Sequence, residues 1–378
     1  MRSESMTQKG ENTLARPTAN PAGSVGEVRS ESFIIKPDDR ILVTGAAGFI
    51  GSHVVENLVD RGFRNIVCLV RPSSKTERIE AIRNRLPIGT RVEFLKGNLL
   101  NRADCEAASK DAALILHLAA GIGEKSYPDA FMNSVVATRN LLEASLQYAR
   151  LQRFVLVSSF AVYSNRQSSR LLNESCPMEE RPEQRGEAYC YAKVRQEQLV
   201  AEYGRNFGVP YVVVRPGSVY GKNAEIAGRV GINTFGLFLH LGGSNTIPLT
   251  YVANCADAVV MAGLVKGVEG EIFNVVDDDL PSSRQFLRQY KKQVRHFKSV
   301  YVPHVVSHAL CYFWERYADW SMGQLPPAFN RSRWHCDWKK TRYTNEKLKN
   351  KLGWAPRIST DEGLRRYFES CAQGQQHA

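Results

Sequence analysis

Tyr189-Cys190-Tyr191-Ala192-Lys193 sets a phenol and an ammonium four residues apart inside a helical run, Glu187 to Glu202. Four residues make about one helical turn, so Tyr189 and Lys193 share a face. A tyrosine phenol ordinarily ionises near pH ~10, and a cation beside it favours the phenolate and lowers that value. A phenol tuned in this way can take or return a proton at a substrate oxygen while hydride moves at the same carbon. Ser158 and Ser159 follow the apolar run Phe154-Val155-Leu156-Val157, and the Ser159 hydroxyl can donate a hydrogen bond to that oxygen. Tyr191 has Arg195, not lysine, four residues on and is expected to pack or to lie at the surface.

Such chemistry needs a bound hydride carrier and elements that aim the side chains at it. Thr44-Gly45-Ala46-Ala47-Gly48-Phe49-Ile50-Gly51 follows the apolar run Ile41-Leu42-Val43 and leads into residues with helical periodicity. In a strand-to-helix turn, Gly45 permits the tight turn, Gly48 lets backbone approach a pyrophosphate, and Gly51 allows close packing of the helix. The free N–H groups at the helix start, Phe49 and Ile50 among them, would then face phosphate. A second strand, Asn65–Val70, ends at Arg71, about 20 residues past the glycines, where NAD-binding chains carry an acid for the ribose hydroxyls. Arg71 followed by Ser73, Ser74 and Lys75 suits a 2′-phosphate, so NADP is favoured over NAD.

Further strands are expected at 92–98, 113–120 and 154–157, with polar helical stretches between them and a helix beginning at Asn133. This alternation predicts right-handed βαβ crossovers and a parallel α/β sheet. In such sheets ligands gather at the carboxyl ends of the strands, where Ser159 would stand. His117, inside an apolar strand, is expected to be a satisfied core histidine.

The 378 residues carry 43% hydrophobic side chains, enough for a sizeable core. The net charge of +12 is read as dispersed, without a long basic run, which argues against nucleic acid and for anionic ligands or an acidic membrane surface. Eight cysteines without a C-x-x-C pair point to reduced thiols and a cytoplasmic protein. Residues 1–38 have almost no apolar content before Phe33 and no apolar segment of signal-peptide type, so a disordered leader is expected. Aromatic-rich residues 300–320 are expected to form a helix packed on its own core, with weak membrane-surface association as the alternative. His304 and His308 have metal-like spacing but no Glu or third ligand nearby, and no metal is expected.

Together Thr44–Gly51, His117–Ala120, Asn133, Ser158–Tyr163, Tyr189–Lys193 and Val214–Gly221 resemble the extended short-chain dehydrogenase/reductases, the NAD-dependent epimerase/dehydratase group. The resemblance runs from about residue 40 to 360 and closes on Leu352-Gly353-Trp354-Ala355-Pro356, similar to the family's terminal L-G-W-x-P. It implies a Rossmann-like doubly wound parallel sheet, mainly residues 39–220, and a smaller substrate-binding part, mainly 221–370, with some strands and helices interleaved. It also implies Ser159, Tyr189 and Lys193 as catalytic residues supported by Asn133. The implied cofactor contacts are Gly45, Gly48, Phe49, Ile50, Gly51, Arg71, Asn98, Leu99, Ala119, Ala120, Lys193 and Pro216. A homodimer through the helices after Asn133 and around Tyr189 is the family expectation.

Three departures narrow the chemistry. Asn98 stands where the family often has Asp near adenine. Phe160-Ala161 replaces the Asp-Glu pair that nucleotide-sugar 4,6-dehydratases use to eliminate water, so dehydration is disfavoured. Ser218 replaces an asparagine that helps many members hold sugar nucleotides. The function expected is NAD(P)-dependent epimerisation or ketoreduction at a carbinol or carbonyl carbon of a nucleotide-linked sugar. A 3β-hydroxysteroid dehydrogenase-like or dihydroflavonol reductase-like ketoreductase is the alternative, and a non-catalytic dinucleotide sensor is a further one.

Overall fold

The computed structural model describes residues 33–376 apart from 122, 124–125, 167–169, 223, 225, 227–228, 235 and 322–329. Seven short strands rich in β-branched residues form the central sheet: β1 (Arg40–Thr44), β2 (Asn65–Val70), β3 (Arg91–Lys96), β4 (Ala112–His117), β5 (Arg153–Val157), β6 (Tyr211–Pro216) and β7 (Ile272–Val275). Their order is β7-β6-β5-β4-β1-β2-β3, and every pairing is parallel. A parallel sheet must be covered on both faces, which is why β1, β4 and β5 read as continuous apolar runs. The order reverses between β1 and β4, opening a crevice at the carboxyl ends of those strands.

Two apolar cores cover the two faces. One packs α1 (Phe49–Asp60) and a late helix, Val252–Leu264, against the sheet. The other packs α2 (Ala137–Tyr148) and α3 (Ala188–Phe207) on the opposite face. The late helix, α4 (Val252–Leu264), is buried along nearly its whole length. Its Asp257 reaches Arg61 Nη2 at 2.7 Å and Arg357 Nη2 at 3.0 Å. Asn254 lies in the first turn of α4. Its amide donates to Asp277 Oδ1 at 3.0 Å and to the Ile358 carbonyl at 2.8 Å, tying α4 to two later loops.

The ordered body begins before residue 39. Phe33 bridges Val265, Ile34 N–H donates to the Leu264 carbonyl at 2.9 Å, and Ile35 is buried. The three apolar residues at the end of the expected leader are therefore core residues, while the rest of it, 1–32, lies outside the described residues. Beyond β6, short strands Gly231–Thr234, Leu237–His240 and Ser299–Tyr301 form a small separate sheet; helix α5 (Ser283–Gln293) precedes its last strand in sequence and α6 (His304–Trp320) follows it. No helix among the described residues is long and apolar enough to cross a membrane.

Candidate active site

The glycine turn behaves as its spacing predicts, with one change of partner. Gly45 adopts φ +69°, and a Cβ there would lie 2.8 Å from Ala119 N, so only glycine fits between β1 and β4. A Cβ on Gly51 would lie 2.1 Å from the Gly45 carbonyl and 2.8 Å from Ala46 Cα, so Gly51 makes room for the turn itself. Gly48 caps α1 without a side chain, and the first turn of α1 holds no acid. Uncapped N–H groups and the positive end of the helix dipole are thus left for an anion.

A cleft of about 380 Å³ opens over this turn. Thr44, Gly45, Gly48, Arg71, Asn98, Leu99, Ala119, Ala120 and Asn133 all line it, so residues expected from five segments of the chain meet there. Ser73, Ser74 and Lys75 line the same cleft beside Arg71 in a turn closed by Ser74 N–H to the Arg71 carbonyl at 2.9 Å. A glycine cradle, a bare helix N-terminus and a cationic rim fit a dinucleotide pyrophosphate and its adenosine end. Asn98 lines the cleft as expected of a cofactor neighbour and also holds its own loop. Its amide oxygen accepts from Leu100 N–H at 3.0 Å, which shapes its own turn.

Ser159 stands just past β5, its Oγ accepting from Ala161 N–H at 3.2 Å. The same hydroxyl hydrogen-bonds the Tyr189 phenol, an interaction that favours the phenolate, but desolvation outweighs it and holds the phenol above its ordinary pKa. Lys193 is buried on the same helical face, with Nζ 6.0 Å from the Tyr189 ring centroid and donating to the Val157 carbonyl at 2.8 Å. Burial lowers its pKa to about 8, with Glu197 opposing. The lysine is therefore spent on orienting the end of β5 and keeps two N–H donors for a ligand. Asn133 sits in a π-helical turn, Phe131–Val136, rather than at a helix start. Such turns re-aim side chains at functional sites. Pro216 ends β6 and is buried, and Gly217 N–H donates to the Val275 carbonyl at 3.0 Å. Tyr191 packs against Tyr127 and Phe131, as its spacing suggested.

Supporting groups, Glu197 apart, lie beyond the reach of sequence spacing. His117 bridges Thr44 Oγ1 (2.7 Å) and Thr138 Oγ1 (2.9 Å). Thr138 gives its own proton to the Ser134 carbonyl at 2.6 Å and accepts from Gln196 Nε2 at 2.8 Å. His117 Nε2 must then be the donor and Nδ1 the acceptor, a neutral ring. Burial, and secondarily the Lys193 charge, drives its pKa down to about 3. This chain of bonds locks β1, β4, α2 and α3 together behind the cleft. Glu197 forms a buried pair with Arg215, Nε to Oε1 2.9 Å. Extending the Tyr189–Lys193 spacing by one more turn would have reached Glu197.

The profile of the NAD dependent epimerase/dehydratase family matches residues 41–275, from β1 to the end of β7. The chain belongs to that family. As a family member it is an NAD(P)-dependent enzyme. It is 30% identical to the uncharacterized UDP-glucose epimerase YtcB of Bacillus subtilis, over 62% of this chain and 76% of that one. It is 26% identical to a trifunctional UDP-glucose 4,6-dehydratase/UDP-4-keto-6-deoxy-D-glucose 3,5-epimerase/UDP-4-keto-L-rhamnose-reductase of Arabidopsis thaliana, over 87% of this chain but only 46% of that longer protein. The fold superposes on UDP-glucuronic acid 4-epimerase of Bacillus cereus, solved with UDP-glucuronic acid and NAD. The TM-score is 0.65 at 23% identity, covering 88% of this chain and 99% of the epimerase. Phe160 is buried against Tyr163 and Tyr343, and Ala161 carries no carboxylate.

Proposed function

We propose that this chain is an NAD(P)-dependent epimerase or ketoreductase acting on a carbinol or carbonyl carbon of a nucleotide-linked sugar. The observation that carries the reading is the convergence of Ser159, Tyr189 and Lys193 at the carboxyl end of β5. The bound nicotinamide supplies the hydride donor or acceptor. Tyr189 moves the proton at the substrate oxygen, and Ser159 hydrogen-bonds that oxygen. Lys193 keeps its charge beneath the phenol and offers its remaining donors to ribose. Asn133 supports this set from the π turn. Arg71, Ser73, Ser74 and Lys75 favour NADP over NAD, since two cations and two hydroxyl donors suit a 2′-phosphate. The part after Gly221 grips the substrate, with β7 and α4 returned to the dinucleotide domain. A second copy is expected to pair through α2 and α3, whose outer residues Leu146, Tyr148 and Phe207 are exposed. Eight free thiols, six of them buried, favour a reducing cytoplasm.

Ser218, half-buried where sugar-nucleotide members carry asparagine, favours a second reading as a ketoreductase of a non-nucleotide substrate. Turnover of a panel of UDP-sugars with 4-deuterated cofactor separates the readings. An epimerase takes hydride from the sugar and returns it to the same carbon, so the cofactor is not consumed and its deuterium stays out of the product, whereas a ketoreductase consumes the deuterated reduced cofactor and carries the deuterium into product. Tyr189→Phe should lower either rate by about 10²–10⁴-fold with cofactor binding retained. Unchanged turnover in that variant would remove Tyr189 from the mechanism.

A further inference from the structure

The helix expected to pack its apolar face inward does the reverse. The buried residues of α6 are Ser307, Cys311 and Ala318, and Ser307 Oγ accepts from Trp334 Nε1 at 2.9 Å. Its solvent side carries Val305 (82% exposed), Val306, Leu310 (58%), Phe313 (67%), Tyr317 and Trp320 (75%). At ~3.6 residues per turn these six fall within about 140° of arc. Val300 and Tyr301, also exposed, extend the patch along the chain before the helix. A contiguous apolar stripe of this kind marks a surface that is covered in use.

Charge indicates what covers it. From Arg284 to Arg342 the chain holds twelve Lys and Arg against three Asp and Glu, so nine of its twelve net positive charges fall in this segment. The basic excess is thus concentrated, not dispersed as whole-chain composition suggests. Arg284 stands over the Tyr301 ring at 5.4 Å, Arg331, paired with Glu315 at 2.7 Å, stands over the Tyr312 ring at 5.1 Å, and Arg316 lies within the apolar arc itself. Two copies meeting through this face would bring Arg284 and Arg316 of each toward their counterparts, within a Debye length of about 8 Å. An anionic surface suffers no such repulsion. Exposed Trp and Tyr beside Lys and Arg are the composition of a helix lying at a lipid headgroup boundary. At 17 residues, roughly 26 Å long, α6 is too short to span a bilayer core.

We propose that α6, with Val300 and Tyr301, docks this chain onto the surface of an anionic phospholipid bilayer. Flotation of the full chain with vesicles tests it, comparing phosphatidylcholine alone with vesicles in which one lipid in three is phosphatidylglycerol. Expected is at least ~tenfold more binding to the anionic vesicles, lost in high salt and lost in the double variant Leu310→Glu/Phe313→Glu. Those side chains are exposed, so the variant should keep the wild-type thermal midpoint; Trp320→Ala, the most exposed aromatic residue of the helix, is a second variant in case it does not. Binding to neither vesicle, or equal binding by wild type and variants, would overturn the proposal. So would a concentration-dependent dimer, seen by light scattering, that the double variant dissolves, since the face would then join copies of this chain.

Discussion

At the scale of single residues, charge placement decides which ligand atoms the cleft can hold. Arg71 lines the cleft at the end of β2, where a carboxylate would repel a 2′-phosphate and accept from ribose hydroxyls. A charge-assisted hydrogen bond contributes about 1.5–3 kcal/mol, so Arg71→Asp should raise KM for NADPH roughly ten- to hundredfold. KM for NADH should stay level or fall. Steady-state kinetics with both cofactors measures the difference, and parallel losses with both would mean that Arg71 does not read the phosphate. The placement of Tyr189 and Lys193 on one helical face, with Ser159 just past β5, was legible because it follows from one-turn spacing and the end of an apolar run. That Lys193 is held by the Val157 carbonyl, and that burial rather than lysine governs the Tyr189 phenol, was not legible. Both depend on how far β5 and α3 stand apart.

Elements carry a different kind of constraint, seen most sharply where β1 turns into α1. A Cβ at Gly51 meets backbone atoms at 2.1, 2.8 and 2.9 Å, none of which can rotate away. Gly51→Ala should therefore destabilise the fold by more than about 3 kcal/mol, measured by urea unfolding. A Cβ at Gly48 meets only the Gly45 carbonyl, at 3.1 Å. Gly48→Ala should cost little stability yet weaken cofactor binding, read by titration of nicotinamide fluorescence. If both variants lost stability equally, the glycines would be serving the turn alone. Strand positions were readable as apolar runs, because both faces of a parallel sheet are covered. The π turn around Asn133 was not, since its extra residue leaves the apolar periodicity almost unchanged while re-aiming the side chain.

For the whole molecule, buried neutral histidines set the response to acid. Burial is the first cause that lowers His117 to about 3 and His53, His240 and His335 to about 4. Unfolding returns each to its ordinary value near pH ~6.5. Their contribution to stability is complete above that value and is lost as pH falls toward the folded values, because the unfolded chain then binds the extra protons. Asp277 has the opposite sign. Burial raises it to about 7, so its contribution is present below ~4 and lost as pH rises through about 7. Urea midpoints should therefore drop between pH 6 and 4.5, with His117→Gln flattening the drop; an unchanged slope in that variant would show that His117 is not the group titrating. Read alone, the sequence determined the order of elements, the glycine turn, the family resemblance and the shared face of Tyr189 and Lys193, because each is written within one turn or one strand of chain. Only the tertiary structure decided the Thr44–His117–Thr138–Gln196 bonds, the Glu197–Arg215 pair, the core role of Phe33–Ile35 and the outward apolar face of α6. Those depend on which segments, tens to hundreds of residues apart, come to share a surface, and local spacing carries no record of that.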